Sequence, residues 1–292
     1  MTALRIAVWQ VGLVLGSVAA GRGWVGGVAW GVTAAGLLAV SAIRVRGVWL
    51  STSAGRWVRF MLRRRIHSGH HLPLPAGTTI ASDGVLVGAE GLTVVTRTEE
   101  RVVPALEADA DAPRLDLQLV VHRGPRQAGP AAWLAIGVRR DADTADDDLL
   151  RVTLDNALRR LRRGGHELNP LPSPDLHRTL HGISHAGPSR ERFRCWQSGR
   201  VTQITLRLGA TAAQLPALDR LLAAGRDAAV TAAVRATGDG VLRVAATSPD
   251  AAERATARLI ALGTHLGVPL HRLDGRHGPA VTASLPLGGD VR

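Results

Sequence analysis

Residues 229–266 read AVTAAVRATGDGVLRVAATSPDAAERATARLIALGTHL, and this stretch decides the predicted fold class. Its first half predicts a β-hairpin, because two β-prone segments flank a Gly-Asp-Gly turn at 238–240. Ser248 is a favoured N-cap residue, and Pro249 stands at the favoured first helical position. We therefore expect a helix that continues to about Leu266, which completes a strand–strand–helix unit.

The same order of elements occurs earlier in the chain. Alternating apolar residues predict a strand at 115–121, a second strand follows at 132–138, and leucines at helical spacing predict a helix over 146–163. Strand pairs followed by helices favour an α/β (α+β) cytoplasmic domain over residues 76–292. The repetition is compatible with two subdomains that meet near residues 165–190.

The remaining segments of this domain are assigned by turn signals and periodicity. They comprise hairpins at 85–95 and 192–208, a helix at 212–224, strands at 269–273 and 280–285, and a non-regular crossing toward residue 192 that is marked by Pro170, Pro172 and Pro174.

Two uncharged apolar runs, 6–21 and 23–43, open the chain. The longer run has the roughly 20 residues that cross a bilayer, so residues 1–43 predict a transmembrane helical hairpin. A secretory signal peptide is the weaker alternative, because only Arg5 precedes the first run and a second apolar run follows at once. Small residues recur at every fourth position and predict close helix packing. They are Gly12, Gly16 and Ala20 in the first run and Gly27, Gly31, Ala35 and Ala39 in the second.

The distribution of charge favours a membrane surface over nucleic acid as a partner. All 36 basic residues are Arg; residues 1–82 carry a charge of +9 and residues 83–292 only +3. The Arg- and Trp-containing segment 44–75 predicts a basic juxtamembrane region, with an interfacial helix on anionic lipid at 44–66. The residues predicted to contact that surface are Arg44, Arg46, Arg56, Arg59, Arg63, Arg64, Arg65, Trp49 and Trp57.

The positive-inside rule sets the predicted location. Because these arginines follow the second apolar run, both termini are expected in the cytoplasm, and the chain is predicted to be a multi-pass protein of the bacterial inner (plasma) membrane.

Side chains that could carry chemistry are few. Without Lys the chain cannot form a Walker-A loop or a Schiff base, and the single Cys195 excludes an internal disulfide and a Cys-rich zinc site. Asp pairs at 109/111 and 141/143 could hold a divalent ion, but helix N-terminal charge and a polar loop explain them better. His177, His181 and His185 have helical spacing, although Gly182 makes a helix there doubtful. We predict no catalytic, cofactor-binding or metal-binding residue.

Three stretches carry a resemblance to a known family. They are RWVRF through RRR at 56–65, RCWQSG with the following ITL between 194 and 206, and LDGRHGPAV at 273–281 followed by ASLPLG at 283–288. With the two apolar runs before them, they make the chain similar to the EccE family of the actinobacterial ESX, or type VII, secretion system. The similarity covers nearly the whole chain, and the stretch at 273–288 is its most specific part.

The resemblance implies a core membrane subunit of the secretion translocon beside its B, C and D components. It implies no transport ATPase activity, since that belongs to the C component, and no catalytic residues. We therefore predict a non-catalytic structural subunit that stabilises the core complex. A membrane-tethered enzyme of the sugar-nucleotide (glycosyltransferase-like) type, based on the Asp pairs, is the alternative.

Overall fold

A computed structural model describes most of the chain after residue 71. The described residues are 72–100, 103–104, 114–140, 146–209 and 215–288, with 66–67 and the earlier positions 10, 14, 17, 28, 31–33, 35–36, 44–45, 48–49, 55, 57–58 and 60–62. The chain divides into two compact units, Met1–Arg64 and Arg65–Arg292. The boundary between them falls within the segment predicted to be juxtamembrane.

The first unit contains a two-stranded antiparallel sheet. Strand β1 (Arg44–Val45) pairs with β2 (Val48–Trp49), so that Arg44 lies opposite Trp49. The interfacial helix predicted over 44–66 is therefore wrong at its start. Valine at positions 45 and 48 is β-branched and favours extended backbone, which the charge pattern alone did not reveal.

The prediction of two transmembrane helices, and with it the multi-pass membrane location, is not supported. Among the described residues, no helix combines the length and the apolar character needed to span a bilayer. The two apolar runs together hold eight glycines, at 12, 16, 21, 23, 26, 27, 31 and 36. The described positions in these runs are helical, but glycine disfavours a helix interior by about 1 kcal/mol, a cost that hydropathy alone does not take into account.

The second unit is organised around one sheet of thirteen strands. In chain order they are β3 (Ile66–His67), β4 (Thr79–Ile80), β5 (Leu86–Gly88), β6 (Gly91–Thr98), β7 (Leu115–Arg123), β8 (Ala131–Arg139), β9 (Asn169–Pro170), β10 (Ser189–Arg192), β11 (Cys195–Ser198), β12 (Val201–Leu208), β13 (Ala229–Arg235), β14 (Gly240–Ala246) and β15 (Leu270–Arg272). Every described pairing is antiparallel. An α/β domain usually has a parallel sheet, so the predicted α/β class is wrong, as the predicted transmembrane helices were.

Five described helices cover the sheet. They are α1 (Asp147–Arg163), α2 (Ser173–Ser184), α3 (Leu215–Ala223), α4 (Pro249–His265) and α5 (His277–Ala283). The predicted cap of α4 is confirmed, since the Ser248 hydroxyl accepts a hydrogen bond from the Ala251 N–H at 3.2 Å. Two assignments are wrong: α2 occupies the predicted non-regular crossing, and α5 occupies most of the predicted strand at 280–285.

The order of strands shows that the second unit is an internal repeat. It reads β4-β5-β6-β8-β7 from one side and β10-β11-β12-β14-β13 from the other, with β7 and β13 paired at the centre. Short strands β9 and β15 add to β6 and β12 in the same way. Leu171 donates its N–H to the Val95 oxygen, and Leu273 donates to the Thr205 oxygen, which fixes Val95 and Thr205 as equivalent positions.

The two faces of the sheet are covered by different helices, because successive side chains of a strand point to opposite faces. On β7, Leu117 packs in a cluster with α1, and Leu119 and Val121 pack with α3 and α4. Val120 points the other way and packs with α2 and with Leu285. Both faces of the central strands are therefore buried.

Candidate functional site

The C-terminal motif forms the turn between β15 and α5. Gly275 has a φ of +73°, a left-handed conformation that favours glycine, and its N–H donates to the Phe193 oxygen at 2.7 Å. Leu273 donates to the Thr205 oxygen at 3.0 Å. Backbone hydrogen bonds therefore attach the motif both to β12 and to the turn between β10 and β11.

His277 is the central side chain of this motif. Its ring is 0% exposed, and its Nδ1 lies 2.9 Å from the Thr205 hydroxyl oxygen and 3.3 Å from the Thr205 backbone nitrogen. Because a backbone N–H can only donate, Nδ1 is the unprotonated nitrogen and Nε2 carries the proton. Nε2 faces the Asp274 Oδ1 at 3.6 Å, which is too long for a hydrogen bond.

Asp274 also belongs to an ion-pair network around Arg272. The Arg272 Nε donates to Asp274 Oδ1 at 2.7 Å, and its two terminal nitrogens bind the Glu253 carboxylate on α4, one of them at 2.8 Å. Burial would raise the pKa of Asp274, but the His277 ring and the Arg272 guanidinium together hold it below its ordinary value. The hydrogen bond from Arg272 likewise lowers the pKa of Glu253.

A close backbone approach holds the other side of the motif. Glu191 on β10 is 4% exposed and accepts a hydrogen bond from the Gly278 N–H at 3.0 Å. A Cβ on Gly278 would lie 3.0 Å from the Trp196 ring and 3.4 Å from the Glu191 carboxylate. Only glycine fits at this position without displacing the Trp196 ring.

The order Asp274, His277, Thr205 has the composition of a nucleophilic relay, in which a base activates a hydroxyl. A relay needs a hydroxyl that a substrate can reach, whereas Thr205 is 0% exposed and its hydroxyl is bound to a buried ring. The equivalent position in the first repeat is Val95, which is also 0% exposed and packs in an apolar cluster. These polar groups therefore hold the motif turn on the sheet.

A second buried polar cluster surrounds Arg243 on β14. Its side chain is 1% exposed and donates to the Ile183 oxygen at 2.7 Å, to Gln203 Oε1 at 2.9 Å and to the Thr231 hydroxyl at 3.2 Å. The Ile183 carbonyl belongs to the last turn of α2, the negative end of the helix dipole, which stabilises the cation. Burial lowers the pKa of Arg243 to about 9.

Two histidines lie beside this cation. His122 on β7 places its Nδ1 2.9 Å from the Thr231 hydroxyl, and His185 follows α2 in a left-handed conformation. Burial, the Arg243 charge and the His185 ring lower the pKa of His122 to about 3. Burial and the Arg243 charge lower the pKa of His185 to about 4. Both rings are therefore neutral at physiological pH.

The two repeats hold each other's helix ends. Gln203, on β12 of the second repeat, donates to the Ser184 oxygen at the end of α2 at 3.0 Å. Gln118, on β7 of the first repeat, donates to the Ala283 oxygen at the end of α5 at 2.7 Å and accepts from the Gly288 N–H at 3.0 Å. Each repeat thus supplies a glutamine whose side chain donates a hydrogen bond to the C-terminal end of a helix in the other repeat.

A cavity of about 320 Å³ lies beside β5 and β6. Its lining combines apolar side chains, such as Leu86 and Leu287, with the polar Thr93 and Asp116. Asp116 is paired with Arg139 at 3.0 Å and lies 3.9 Å from Arg235. The charge of Asp116 is therefore already matched by arginine.

The residues predicted from sequence to carry a role all belong to the first unit or to Arg65 at the start of the second, and the structure describes only some of them. Among the predicted helix-packing residues, Gly31 and Ala35 are exposed helical positions, and an added Cβ at Gly31 would meet no atom within 4 Å. Arg44 and Trp49 face each other in the sheet of the first unit, and Trp57 is 50% exposed. The other predicted positions lie outside the described residues: Gly12, Gly16, Ala20, Gly27, Ala39, Arg46, Arg56, Arg59, Arg63, Arg64 and Arg65.

The structure describes only some of the candidate metal ligands, and it does not bring those together. Asp146 caps α1 by accepting from the Asp148 N–H at 2.9 Å, and Asp109, Asp111, Asp141 and Asp143 lie outside the described residues. The helix that Gly182 was expected to prevent is formed, with His177 and His181 exposed on it. In the part of the chain that the structure describes, no three His, Cys, Asp or Glu side chains converge as a metal site would require.

Sequence reasoning missed Arg243, Gln118 and Gln203. Each stands among apolar residues in a β-strand, which normally indicates a side chain that faces solvent. Helices cover both faces of this sheet, so a polar residue on one of its central strands must be buried. Sequence reasoning that recognised this coverage would have found the three residues. The sequence matches no protein-family model and no curated protein.

Proposed function

We propose that the chain is a non-catalytic structural subunit of a type VII (ESX) protein secretion complex, where it stabilises the assembly of the B, C and D components. The observation that supports this best is the burial of the C-terminal motif. Its reactive-looking groups, His277 and the Thr205 hydroxyl, are 0% exposed and are bound to each other. A motif whose polar groups hold the fold fits a structural subunit better than an enzyme.

The proposal predicts specific partners. A tagged copy of the full chain is purified from cells in mild detergent, and the proteins that co-elute are identified by mass spectrometry. We expect a multi-domain ATPase and a many-helix membrane protein in one large complex. Recovery of the chain alone, under conditions that preserve other known complexes, would contradict the proposal.

Two sets of variants separate a structural role from an enzymatic one. Changing Asp141 and Asp143 together to Asn removes the side chains on which the glycosyltransferase-like alternative depends, and a structural subunit should still support secretion. His277→Ala should weaken the complex, because it loosens the motif turn. His265→Ala, at an exposed position of α4, is the matched control and should leave the complex intact. Lost secretion in the folded Asp variant would support an enzyme instead.

The Arg-rich segment 44–65 supports a second contact. We propose that it lies against an anionic lipid surface, to which each Arg contributes on the order of 1 kcal/mol. Replacing Arg63, Arg64 and Arg65 by Gln should reduce co-sedimentation with phosphatidylglycerol vesicles, and the effect should shrink as salt is added. Unchanged binding in low salt would argue against this contact.

A further inference from the structure

Four arginines stand on the elements that adjoin the end of the sheet where β7 stops, and two of them line one cavity. Arg123 is the last residue of β7 and lies opposite Val230 in the sheet register. This pairing brings the loop after β7, which contains Arg126, close to the turn before β13, which contains Arg226. Arg220 projects from the last turn of α3 beside them. The same two elements, α3 and the turn before β13, also carry Asp219 and Asp227, so positive charge exceeds negative charge by two at this end of the sheet.

A cavity of about 340 Å³ opens among these elements. Its lining residues are Arg123, Pro130, Asp219, Arg220, Leu222 and Ala223. Volumes of roughly 300 to 1,000 Å³ are usual for small-molecule sites, so the space can accept a compact ligand. Leu222 and Ala223 give the cavity an apolar wall behind the two guanidinium groups.

The two arginines of this cavity differ from the arginines that bind a carboxylate elsewhere in the unit. Arg139, Arg151 and Arg272 each bind a carboxylate. In the part of the chain that the structure describes, no hydrogen bond or ion pair engages the guanidinium group of Arg123 or that of Arg220. Asp219 is the acidic residue among the six lining residues and takes part in an interaction of its own. The lining thus holds two guanidinium groups and one carboxylate, a net charge of +1.

We propose that this cavity, the arginine corner, binds a phosphoryl group carried by a small molecule or by a lipid headgroup. A guanidinium presents donors in a planar fork that matches two oxygens of a phosphate. Half-burial of Arg123 limits the motion of its side chain, while the exposed Arg220 approaches from α3. This site is independent of the structural role proposed above.

The test is isothermal titration of the full chain with inorganic pyrophosphate in phosphate-free buffer of low ionic strength. The variant Arg123→Gln/Arg220→Gln removes both guanidinium groups. The control Arg207→Gln/Arg254→Gln removes the same charge from two exposed arginines on β12 and α4. We expect saturable binding at one site, a Kd at least tenfold higher in the first variant, and a Kd within twofold of wild type in the control.

Two results would overturn the proposal: no saturable binding by the wild type, or equal weakening in both variants, which indicates a response to net charge alone. Should the double variant fail to fold, Arg220→Gln, at an exposed helical position, should still raise the Kd several-fold. An unchanged Kd in a folded Arg220→Gln protein would also overturn it.

Competition identifies the source of the phosphate. Displacement of pyrophosphate by glycerol phosphate supports a small-molecule ligand, and displacement by phosphatidic acid vesicles but not by phosphatidylcholine vesicles supports a lipid headgroup. A glutamate hexapeptide that displaces pyrophosphate as strongly as phosphate esters do would refute a phosphate site, since it would show a general preference for anions.

Discussion

The histidines beside Arg243 make the stability of the second unit sensitive to acid. The pKa of His122 is lowered to about 3 and that of His185 to about 4, from an ordinary value of 6.5. At pH values between the folded and the unfolded pKa, the histidines bind protons in the unfolded chain but not in the folded chain. The stability that is present above about pH 6.5 is therefore lost as the pH falls toward the folded pKa values. At pH 5 each ring lowers the free energy of unfolding by about 2 kcal/mol, or about 4 kcal/mol together.

Urea denaturation at several pH values between 5 and 7.5 measures this loss, with fluorescence of the buried Trp133 and Trp196 as the signal. His122→Gln removes one titrating ring, so its loss between pH 7.5 and 5 should be smaller than that of wild type by about 2 kcal/mol. His265→Gln changes an exposed ring on α4 and should leave the wild-type loss in place.

Parallel stability curves for wild type and His122→Gln would refute the reasoning. They would mean that His122 takes up its proton without unfolding, for example through a local opening that lets water reach Thr231 and Arg243. An equal flattening in the His265→Gln control would also refute it, because the acid response would then not originate at the buried cluster.

Three further predictions concern stability, each measured by urea denaturation. Gly182→Ala should raise the free energy of unfolding by about 1 kcal/mol, because alanine favours a helix and a Cβ there meets no atom within 4 Å. Gly278→Ala should lower the free energy of unfolding by about 1 to 3 kcal/mol through overpacking. Changes of the same sign in the two variants would contradict this. Gln118→Ala should cost about 2 to 3 kcal/mol, because it leaves a buried carbonyl and an N–H without partners, and a cost near zero would show that water replaces them. Ser248→Ala should cost about 1 kcal/mol by removing a helix cap, and no change would mean that the cap bond is absent in solution.

Much of the second unit was predictable where one local rule dominated. Strand alternation located β7, and the Gly-Asp-Gly turn located the β13–β14 hairpin. The acidic start and basic end of α1 marked its limits within a residue. These elements follow from short-range preferences, so nothing distant in the chain was needed to identify them.

The helix α2 was missed because its prolines and Gly182 were interpreted as helix breakers, and α5 was missed because residues 280–285 were interpreted as a strand. Pro174 lies in the first turn of α2 and Pro279 in the first turn of α5, where proline is tolerated since those N–H groups need no helical partner. In α5 the alternation of Ala280 to Leu285 also imitates a strand. Short helices that pack on a second covered face depend on tertiary contacts, which periodicity cannot reveal.

The candidate site could not have been assembled from sequence. Thr205 and His277 are far apart in the chain, and the Thr205 hydroxyl meets the ring only because β15 adds to β12. The pairing of β7 with β13 is likewise a long-range contact between two repeats whose sequences have diverged. The equivalence of Val95 and Thr205 becomes visible only through their matching backbone bonds.

The exchange of glutamines between the repeats has a consequence for synthesis on the ribosome. The first repeat emerges first, yet the end of its helix α2 is held by Gln203 and Arg243, which are translated later. Gln118 in turn binds Ala283 and Gly288, which are translated 165 and 170 residues after it. The first repeat therefore cannot reach its final form until the second repeat has been translated as far as Gly288.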